Sequence, residues 1–288
     1  MPAKLSLAAM AFLLVTSGNA EQRQLQSAAA PAANPARRLA AIERASGGRL
    51  GVVLLDVRGR TLFAHRANER FAMCSTFKLA LAAMFVDGHD RTPLRITRAD
   101  MMGNSPYSER MLAGGEISIE GAGEHIVTDS DNAAANLPLR RLGGPAEYTR
   151  RVRAWGDAVT RLDRYELGLN ENARSDPRDT TSPVAIAGTM HRLVMGNVLD
   201  AAARERFRGW LMGTRTGPGR IRAGIPAGWA MGHKTGTCGT AFNDVAFFRT
   251  PRGNEYVLAV YLDRPTVHGD RAEAALADVA RLAAGMVR

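Results

Sequence analysis

The chain has 288 residues, of which 45% are hydrophobic and 23% are charged, and its formal net charge is +10. This composition is that of an ordinary globular protein, which excludes a disordered chain, and the length can bury a sizeable core. The positive charge comes from scattered arginines, without a long basic run, a zinc-finger pattern or an RNP-type motif. We therefore predict a solvated basic surface and no nucleic-acid partner.

Residues 1–20 have the pattern of a secretory signal peptide. Lys4 precedes the apolar run LSLAAMAFLLV, and the small residues of TSGNA follow it. Because this run is too short to span a bilayer, we expect cleavage near Ala20 and export to the periplasm without stable membrane association. Residues 21–34 are polar, rich in alanine and interrupted by Pro31, which predicts a flexible mature N-terminus.

The segments after residue 34 differ in the periodicity of their hydrophobic residues. A helical pattern at 35–48 is followed by two short β-rich runs around a glycine-containing turn, which predicts a helix and then a hairpin. Helical patterns dominate the middle of the chain, at 76–86, 131–144, 145–156 and 182–196. Strand patterns and a final amphipathic helix are predicted at 228–236, 243–250, 255–263 and 270–287.

This order of elements predicts an α/β fold of two lobes, with helices and strands segregated as in α+β proteins. Both ends of the chain would form one antiparallel sheet flanked by the N- and C-terminal helices, and the middle would form an all-helical lobe. We place the α/β lobe at 35–68 and 220–288 and the helical lobe at 69–219. The active site is expected where the two lobes meet.

Lysine is rare in this chain. Only Lys4, Lys78 and Lys234 occur among the 38 lysines and arginines. Arginine is effectively always charged, whereas a desolvated lysine can lose its proton, so a retained lysine is a candidate for proton chemistry. Chance explains one retained lysine well, and the positions of Lys78 and Lys234 decide whether it explains both.

Both of these lysines fall in short motifs. Ser75 and Lys78 form an S-x-x-K motif, whose spacing brings the lysine back to the serine on a helix. An S-D-N motif follows at 130–132, and a K-T-G motif at 234–236 lies on a predicted strand where glycine permits close backbone approach. Each motif alone is weak, and the S-D-N motif is equally typical of a helix N-cap. Coincidence is a poor explanation for all three in this order.

With these motifs the chain resembles the penicillin-recognising serine acyl-enzymes, whose motif set is S-x-x-K, S-D-N and K-T-G. Within them it is similar to the class A β-lactamases, because the segment RYELGLN places Glu166 four residues before Asn170. In that family such a pair holds a water molecule, and an ion pair that matches Arg164 and Asp179 fixes the loop. Without this context, Glu166 and Arg164 would be ordinary surface charges.

The resemblance implies a mechanism in which Ser75 attacks the lactam carbonyl and forms an acyl-enzyme. Lys78 and, through water, Glu166 are the two alternatives for the acylation base. Ser130 would relay a proton to the departing nitrogen. Glu166 and Asn170 would then direct a water molecule at the acyl-enzyme.

The resemblance also implies how the substrate binds. The backbone N–H groups of Ser75 and Thr237 would bind the oxyanion, and Asn132 would bind the side-chain amide of the substrate. The K-T-G motif and a second cation, Arg220, would bind the carboxylate. The complete substrate-binding set is Asn132, Asn170, Arg220, Lys234, Thr235, Gly236 and Thr237. A monomer that acts on a small-molecule β-lactam, with no metal or other cofactor, is expected.

The two cysteines, Cys74 and Cys238, lie beside the first and the third motif. Their spacing allows either one disulfide bond or two buried free thiols. Among the relatives that the resemblance suggests, cysteines at this pair of positions mark the class A carbapenemases, which also carry a hydroxyl residue where Thr237 stands. The resemblance therefore implies a disulfide bond and a broad spectrum that includes carbapenems.

Two positions depart from the family pattern. Asn104 stands where many relatives have an aromatic residue at the entrance, and Gly168 would loosen the loop around Glu166.

Two other functions share most of the motifs: a DD-peptidase of cell-wall maturation and a non-catalytic β-lactam sensor. Both would keep a stable adduct on Ser75, whereas a β-lactamase would release it.

Overall fold

The computed structural model describes residues 34–288. The predicted signal peptide, 1–20, and residues 21–33 of the predicted flexible segment lie outside this range. The α-helices are α1 Pro35–Ser46, α2 Lys78–Ala83, α3 Pro106–Met111, α4 Ile119–Thr128, α5 Asn132–Leu142, α6 Pro145–Ala154, α7 Pro183–Val194, α8 Ala201–Met212, α9 Ile221–Gly224 and α10 Asp270–Met286. The strands are β1 Arg49–Asp56, β2 Thr61–His65, β3 Phe71–Ala72, β4 Leu94–Arg95, β5 Glu116–Ile117, β6 Thr180–Thr181, β7 Ala230–Cys238, β8 Ala241–Arg249 and β9 Glu255–Asp263.

The first helix shows how local sequence sets its ends. Asn34 caps α1 by accepting a hydrogen bond from the Ala36 N–H at 3.0 Å, and Pro35 occupies the first helical position, where no N–H is required. The helix ends at Gly47, whose φ of +67° is the left-handed conformation that glycine adopts at helix C-termini. The predicted helix in this segment is confirmed.

The central sheet joins the two ends of the chain, as predicted. Its strand order is β2-β1-β9-β8-β7, and every neighbouring pair is antiparallel. In the register, Val52 of β1 lies opposite Val260 of β9, and Lys234 of β7 lies opposite Val245 of β8. The antiparallel α/β architecture is therefore confirmed.

Two apolar cores lie on opposite faces of this sheet. Alternate residues of β9 face the two cores, Leu258, Val260 and Leu262 on one side and Val257, Ala259 and Tyr261 on the other. Helices α1 and α10 cover the first face, and α7 packs against strands on the second. Because both faces are covered, β9 is nearly continuously apolar and lacks the alternation of a half-exposed strand.

One predicted helix is shorter than its pattern suggested. The prediction of a helix over 76–86 is wrong at both ends, because a 3₁₀ turn at Cys74–Phe77 precedes α2, which spans Lys78–Ala83. The Met73 carbonyl oxygen accepts hydrogen bonds from Thr76 Oγ1 at 2.7 Å and from Asn243 Nδ2 at 3.2 Å. The same oxygen accepts the Thr76 N–H at 3.1 Å, so all three bonds hold it at the start of the 3₁₀ turn that precedes α2.

Two predictions about the fold remain, the absence of a membrane-spanning segment and the bounds of the two lobes. No helix within 34–288 is long and apolar enough to cross a membrane. The boundaries of the lobes, 35–68 with 220–288 and 69–219, stay a prediction.

Candidate active site

Lys78 lies at the centre of a cluster that joins the first two motifs. Its Nζ is 3.2 Å from Ser75 Oγ, 2.9 Å from the Ser130 carbonyl oxygen, 2.5 Å from Asn132 Oδ1 and 3.0 Å from Glu166 Oε1. The turn at Cys74–Phe77 brings the serine within reach of the first residue of α2, as the S-x-x-K spacing predicted. A nucleophile and two candidate bases therefore share one site.

The environment of Lys78 favours loss of its proton. The side chains of Lys78 and Glu166 have no exposed surface. Burial lowers the pKa of the Lys78 ammonium, and the nearby Glu166 carboxylate opposes this shift. A buried amine whose pKa is lowered can accept a proton from a serine hydroxyl, which a guanidinium cannot do.

Glu166 is fixed through both its side chain and its backbone. Asn170 Nδ2 donates to Glu166 Oε2 at 2.7 Å. Asn136 Oδ1 accepts from the Glu166 N–H at 3.0 Å, and Asn136 Nδ2 donates to the Glu166 carbonyl oxygen at 2.9 Å. Sequence reasoning missed Asn136, although it stands four residues after Asn132 on α5 and therefore on the same helix face.

The loop that carries Glu166 is held at its base by the predicted ion pair. Arg164 Nε lies 2.6 Å from Asp179 Oδ2, and the Asp179 carboxylate is almost fully buried. Asp179 Oδ1 also accepts the backbone N–H groups of Asp163, at 2.7 Å, and Arg164, at 3.0 Å. Arg164 in addition contacts Glu171, whose carboxylate is 2.7 Å from its Nη1. The structure thus brings Arg164 and Asp179 together.

The third motif lies on β7 beside the S-D-N turn. Lys234 Nζ donates to Ser130 Oγ at 3.0 Å and to the Thr235 carbonyl oxygen at 2.8 Å, and Thr235 Oγ1 is 2.6 Å from Thr216 Oγ1. Burial and the neighbouring Lys78 cation lower the pKa of Lys234 well below its ordinary value. Both lysines therefore contact Ser130, Lys78 at its carbonyl oxygen and Lys234 at its hydroxyl.

Arg220 connects this strand to the C-terminal helix. Its guanidinium donates to Thr237 Oγ1 at 2.7 Å, to the Gly236 and Asn243 carbonyl oxygens at 3.0 Å each, and to Glu273 Oε1 at 2.9 Å. Only 5% of Arg220 is exposed. The predicted second cation is thus present beside Thr237, at the end of the K-T-G strand.

Gly236 allows β7 to touch the nucleophile turn. A Cβ at this position would lie 2.7 Å from the Met73 carbonyl oxygen and 3.1 Å from the Thr76 nitrogen, so a side chain would separate the two segments. Across the same contact, Cys74 and Cys238 form a disulfide bond with a Cα–Cα distance of 5.5 Å. The structure therefore decides between the disulfide and the two free thiols in favour of the disulfide.

Asp131 anchors the S-D-N turn and also caps α5. Its carboxylate accepts hydrogen bonds from the N–H groups of Tyr107, Ser108 and Ala134, at 2.9, 3.0 and 2.8 Å, and from Ser108 Oγ at 2.8 Å. The N-cap interpretation of this motif is thus confirmed alongside its place in the site. Asn104, the departure from the aromatic pattern, donates from Nδ2 to the Ser130 carbonyl oxygen at 2.9 Å.

Gly168, the other departure from the family pattern, lies in the loop that carries Glu166. Gly168 begins the 3₁₀ turn Gly168–Asn170, which places Asn170 beside Glu166. Within 34–288 there is no group of three or more His, Cys, Asp or Glu side chains that could hold a metal ion.

Comparison with known proteins agrees with this arrangement. Residues 34–287 match the model of the β-lactamase enzyme family. The carbapenem-hydrolysing β-lactamase KPC of Klebsiella oxytoca is 41% identical over 252 residues, which cover 85% of this chain and 86% of that relative. The β-lactamase L2 of Stenotrophomonas maltophilia is 39% identical, with 85% of this chain and 83% of the relative covered.

Solved structures give the same result for the fold. An ancestral class A β-lactamase superposes with a TM-score of 0.84 at 44% identity, covering 88% of this chain and 100% of that one. A β-lactamase from Xanthomonas campestris pv. campestris superposes with a TM-score of 0.84 at 40% identity, covering 88% and 97% of the two chains.

Proposed function

Because the chain belongs to the class A β-lactamase family, we propose that it hydrolyses β-lactams through an acyl-enzyme on Ser75 and releases the product with a water molecule that Glu166 activates. One observation carries this proposal: the Glu166 carboxylate lies 3.0 Å from Lys78 Nζ and accepts a hydrogen bond from Asn170. The Glu166 carboxylate thus lies near Lys78, a candidate base for Ser75, and the Asn170 amide orients it.

Acylation begins when the Ser75 hydroxyl loses its proton and its oxygen attacks the lactam carbonyl carbon. Lys78 Nζ, 3.2 Å from Ser75 Oγ, is the nearest base, and Glu166 acting through water is the alternative. When the carbon–nitrogen bond of the lactam breaks, the nitrogen takes a proton from Ser130 Oγ, and the proton that the base took from Ser75 replaces it on Ser130. Lys234 Nζ, which donates to that oxygen at 3.0 Å, stabilises the serine as the proton leaves.

Substrate binding is assigned to groups on both sides of Ser75. The N–H groups of Ser75 and Thr237 would bind the oxyanion, and the close approach of Gly236 to the nucleophile turn supports this pairing. Asn132 would bind the side-chain amide of the substrate. The carboxylate of the substrate would contact the hydroxyls of Thr235 and Thr237 and the charges of Lys234 and Arg220.

Deacylation separates this proposal from the two alternative functions. Glu166 would take a proton from water as the water oxygen attacks the ester carbonyl, the ester bond to Ser75 Oγ breaks, and that oxygen regains a proton. Asn170 Oδ1 is buried and has no hydrogen-bond partner within 34–288, so it can orient this water. A DD-peptidase or a sensor would need no such pair.

Intact-protein mass spectrometry tests the proposal. After brief exposure to benzylpenicillin, wild-type protein should regain its original mass within seconds, while Glu166→Ala should keep a mass increase equal to one intact penicillin. Ser75→Ala should take up no penicillin. A persistent adduct on the wild-type protein would favour the DD-peptidase or the sensor and overturn the hydrolase.

The substrate range is proposed to include carbapenems. The Cys74–Cys238 bond and the Thr237 hydroxyl held by Arg220 support this extension, and a relative 41% identical is named for carbapenem hydrolysis. Purified enzyme should turn over imipenem as well as a chromogenic cephalosporin. Turnover of the cephalosporin with no imipenem hydrolysis above background would restrict the proposal to other β-lactams.

Export and a monomeric state complete the proposal. The pattern of residues 1–20 supports a cleaved signal peptide, so protein recovered from the periplasm should begin at residue 21. N-terminal sequencing checks the cleavage site, and light scattering of the same sample checks the mass of a monomer. Recovery of the uncleaved chain from the cytoplasm would contradict export.

A further inference from the structure

The side chain of Asn104 contacts the S-D-N turn, and the mechanism above gives it no task. Its Nδ2 donates to the Ser130 carbonyl oxygen at 2.9 Å. The same oxygen accepts a hydrogen bond from Lys78 Nζ, also at 2.9 Å. One carbonyl oxygen of the proposed proton relay is therefore bound by a candidate base and by an uncharged amide.

The backbone of Ser130 has a conformation that needs support. Its φ of +59° lies in the left-handed region, which residues with a Cβ seldom adopt. A residue keeps such a conformation only where the surrounding structure holds it. Ser130 is also buried, so protein groups must satisfy its carbonyl oxygen in place of bulk water. The hydrogen bonds that Ser130 makes therefore fix its orientation.

Within 34–288, three side chains hydrogen bond to Ser130: Lys78 and Asn104 at the carbonyl oxygen, and Lys234 at the hydroxyl. Lys78 is a candidate base, and its hydrogen bond weakens when it is a neutral amine, because charge-assisted hydrogen bonds are the stronger ones. The Asn104 amide has no proton to lose in this chemistry. It therefore holds the carbonyl oxygen equally well in both protonation states of Lys78.

The backbone next to this amide is tied to the same turn. The Asn132 N–H donates to the Asn104 carbonyl oxygen at 2.9 Å, and Asn132 Nδ2 donates to the Gly103 carbonyl oxygen at 2.7 Å. Asn104 itself has a φ of +57°, a conformation that asparagine tolerates better than most residues. Its side chain therefore extends towards Ser130 from a backbone that is already fixed.

We propose that Asn104 is a positioning residue that holds the Ser130 hydroxyl in place for proton transfer to the leaving nitrogen of the substrate. This inference rests on the proposed function, because the Ser130 relay belongs to the serine acyl-enzyme mechanism. The carbonyl and the hydroxyl are parts of one residue, so rotation of the Ser130 backbone would move Oγ away from Lys234 Nζ, now at 3.0 Å. Loss of the amide should impair proton donation more than the attack by Ser75.

Two substrates with different leaving groups separate these two steps. Benzylpenicillin and an acyclic phenylacetylglycyl thioester both acylate Ser75: a bond forms from Oγ to the carbonyl carbon, and the C–N or the C–S bond breaks. The lactam nitrogen leaves as an amine and takes a proton from Ser130, whereas the thiolate leaves as an anion and needs none. A displaced Ser130 should therefore slow the penicillin and spare the thioester.

Asn104→Gly is the direct test, because glycine removes the donor and adopts a φ of +57° without strain. Acylation by benzylpenicillin should slow about tenfold, a part of the 10²–10⁴-fold that a positioned general acid contributes, and acylation by the thioester should change less than about twofold. Ser130→Ala calibrates the assay. It should show a larger loss with the penicillin than Asn104→Gly and the same preference for the thioester.

Asn254→Gly is the matched control. Asn254 is an exposed asparagine in the turn between β8 and β9, and this turn follows the end of β8 that pairs with Ala230, away from Cys238. Both acylation rates should stay at their wild-type values in this variant, and melting temperatures show whether each protein is folded.

If Asn104→Gly fails to fold, Asn104→Asp decides the question. Aspartate also tolerates the left-handed conformation, and its carboxylate cannot donate to a carbonyl oxygen. The added charge acts on Lys78 and so on both substrates alike, because both need Ser75 to lose its proton. The ratio of the penicillin rate to the thioester rate should therefore still fall.

Quenched-flow with intact mass gives the acylation rates, which do not depend on deacylation. A persistent adduct on the wild-type protein would overturn the hydrolase proposal and leave this inference standing. If Asn104→Gly slows both substrates equally, Asn104 supports the whole site or contacts the substrate directly, and the inference is wrong. Wild-type rates with both substrates would overturn it as well.

Discussion

The side chain of Asn136 and the backbone of Glu166 exchange two hydrogen bonds, of 3.0 and 2.9 Å, that tie helix α5 to the loop carrying the carboxylate. Both partners are buried, so neither backbone group can be satisfied by bulk water. The helix that supplies Asn132 to the nucleophile site therefore also fixes the group assigned to deacylation.

Asn136→Ala should impair deacylation more than acylation. The substitution leaves a buried N–H and a buried carbonyl without partners, at a cost of about 1–3 kcal/mol for each group, and it frees the Glu166 backbone to move. The acyl-enzyme should therefore accumulate during turnover of penicillin, which intact mass and a burst of product would show. The Ser75–Lys78 contact is local to its own turn, so acylation should be reduced less.

Asn136→Asp is the matched variant for this experiment. It retains an acceptor for the Glu166 N–H and loses the donor to the Glu166 carbonyl oxygen, so its deacylation rate should lie between those of wild type and Asn136→Ala. Equal losses of acylation and deacylation in the alanine variant would show that Asn136 supports the whole site and not the loop in particular.

Lys78→Arg should slow acylation of Ser75 by about 10²–10⁴-fold, the usual contribution of a general base. In the wild type, burial lowers the pKa of Lys78, so the neutral amine is available at a lower pH than for an exposed lysine, and acylation should fall as the pH drops and the amine takes up a proton. Arginine keeps its charge throughout this range and has no basic form. Quenched-flow measurement of adduct formation between pH 5 and 9 checks both statements.

Glu166→Gln tests the other candidate base and leaves Lys78 in place. The Glu166 carboxylate raises the pKa of Lys78, so removing its charge should move the acid limb of acylation to lower pH while deacylation stops. If Lys78→Arg acylates at a near wild-type rate and Glu166→Gln does not, then Glu166 acting through water is the acylation base.

Much of this site could be predicted from sequence, because its motifs are local. Lys78 is three positions after Ser75, and Asn170 is four positions after Glu166, so short-range geometry brings each pair together. The β-rich and helical segments likewise predicted a sheet formed by both ends of the chain. The family resemblance then indicated how the separate motifs meet.

The missed contacts join residues that are distant in sequence and ordinary in type. Asn136 meets Glu166 thirty positions away, and Asn243 reaches back to the Met73 carbonyl. The Met73 carbonyl oxygen begins the 3₁₀ turn that precedes α2, so the helix starts later than its periodicity suggested. His233 and Asp244 likewise meet only in the register of β7 and β8, which the whole sheet sets.

Removal of the disulfide should lower stability more than activity. In the chain-entropy model a closed loop of this length contributes about 3–5 kcal/mol, so the double variant Cys74→Ala, Cys238→Ala should unfold at a clearly lower temperature. Alanine suits the site because both cysteines are buried beside Ala241. Asn243 still holds the Ala72 and Met73 carbonyl oxygens, at 2.9 and 3.2 Å, so the nucleophile turn should keep its place.

Thermal unfolding of the variant, and of wild type with and without reductant, measures the stability effect. Penicillin turnover well below the melting temperature measures the effect on the site. Loss of turnover in a variant that is still folded at the assay temperature would show that the bond itself positions the nucleophile turn.

Arg164→Ala should destabilise the protein by about 3–5 kcal/mol, because it leaves the buried Asp179 carboxylate without its charged partner. Asp179→Asn should destabilise it less, because Arg164 keeps its ion pair with Glu171. Asp179 accepts two backbone N–H groups as well as the Arg164 side chain, so the asparagine variant still offers an amide oxygen to the backbone.

Chemical denaturation of both single variants and the double variant gives the coupling energy of the pair. The double variant should be less destabilised than the sum of the two single ones, and its deacylation should be slowed because Glu166 is no longer held by a fixed loop. Strict additivity would show that the 2.6 Å contact contributes nothing beyond the separate packing of the two side chains.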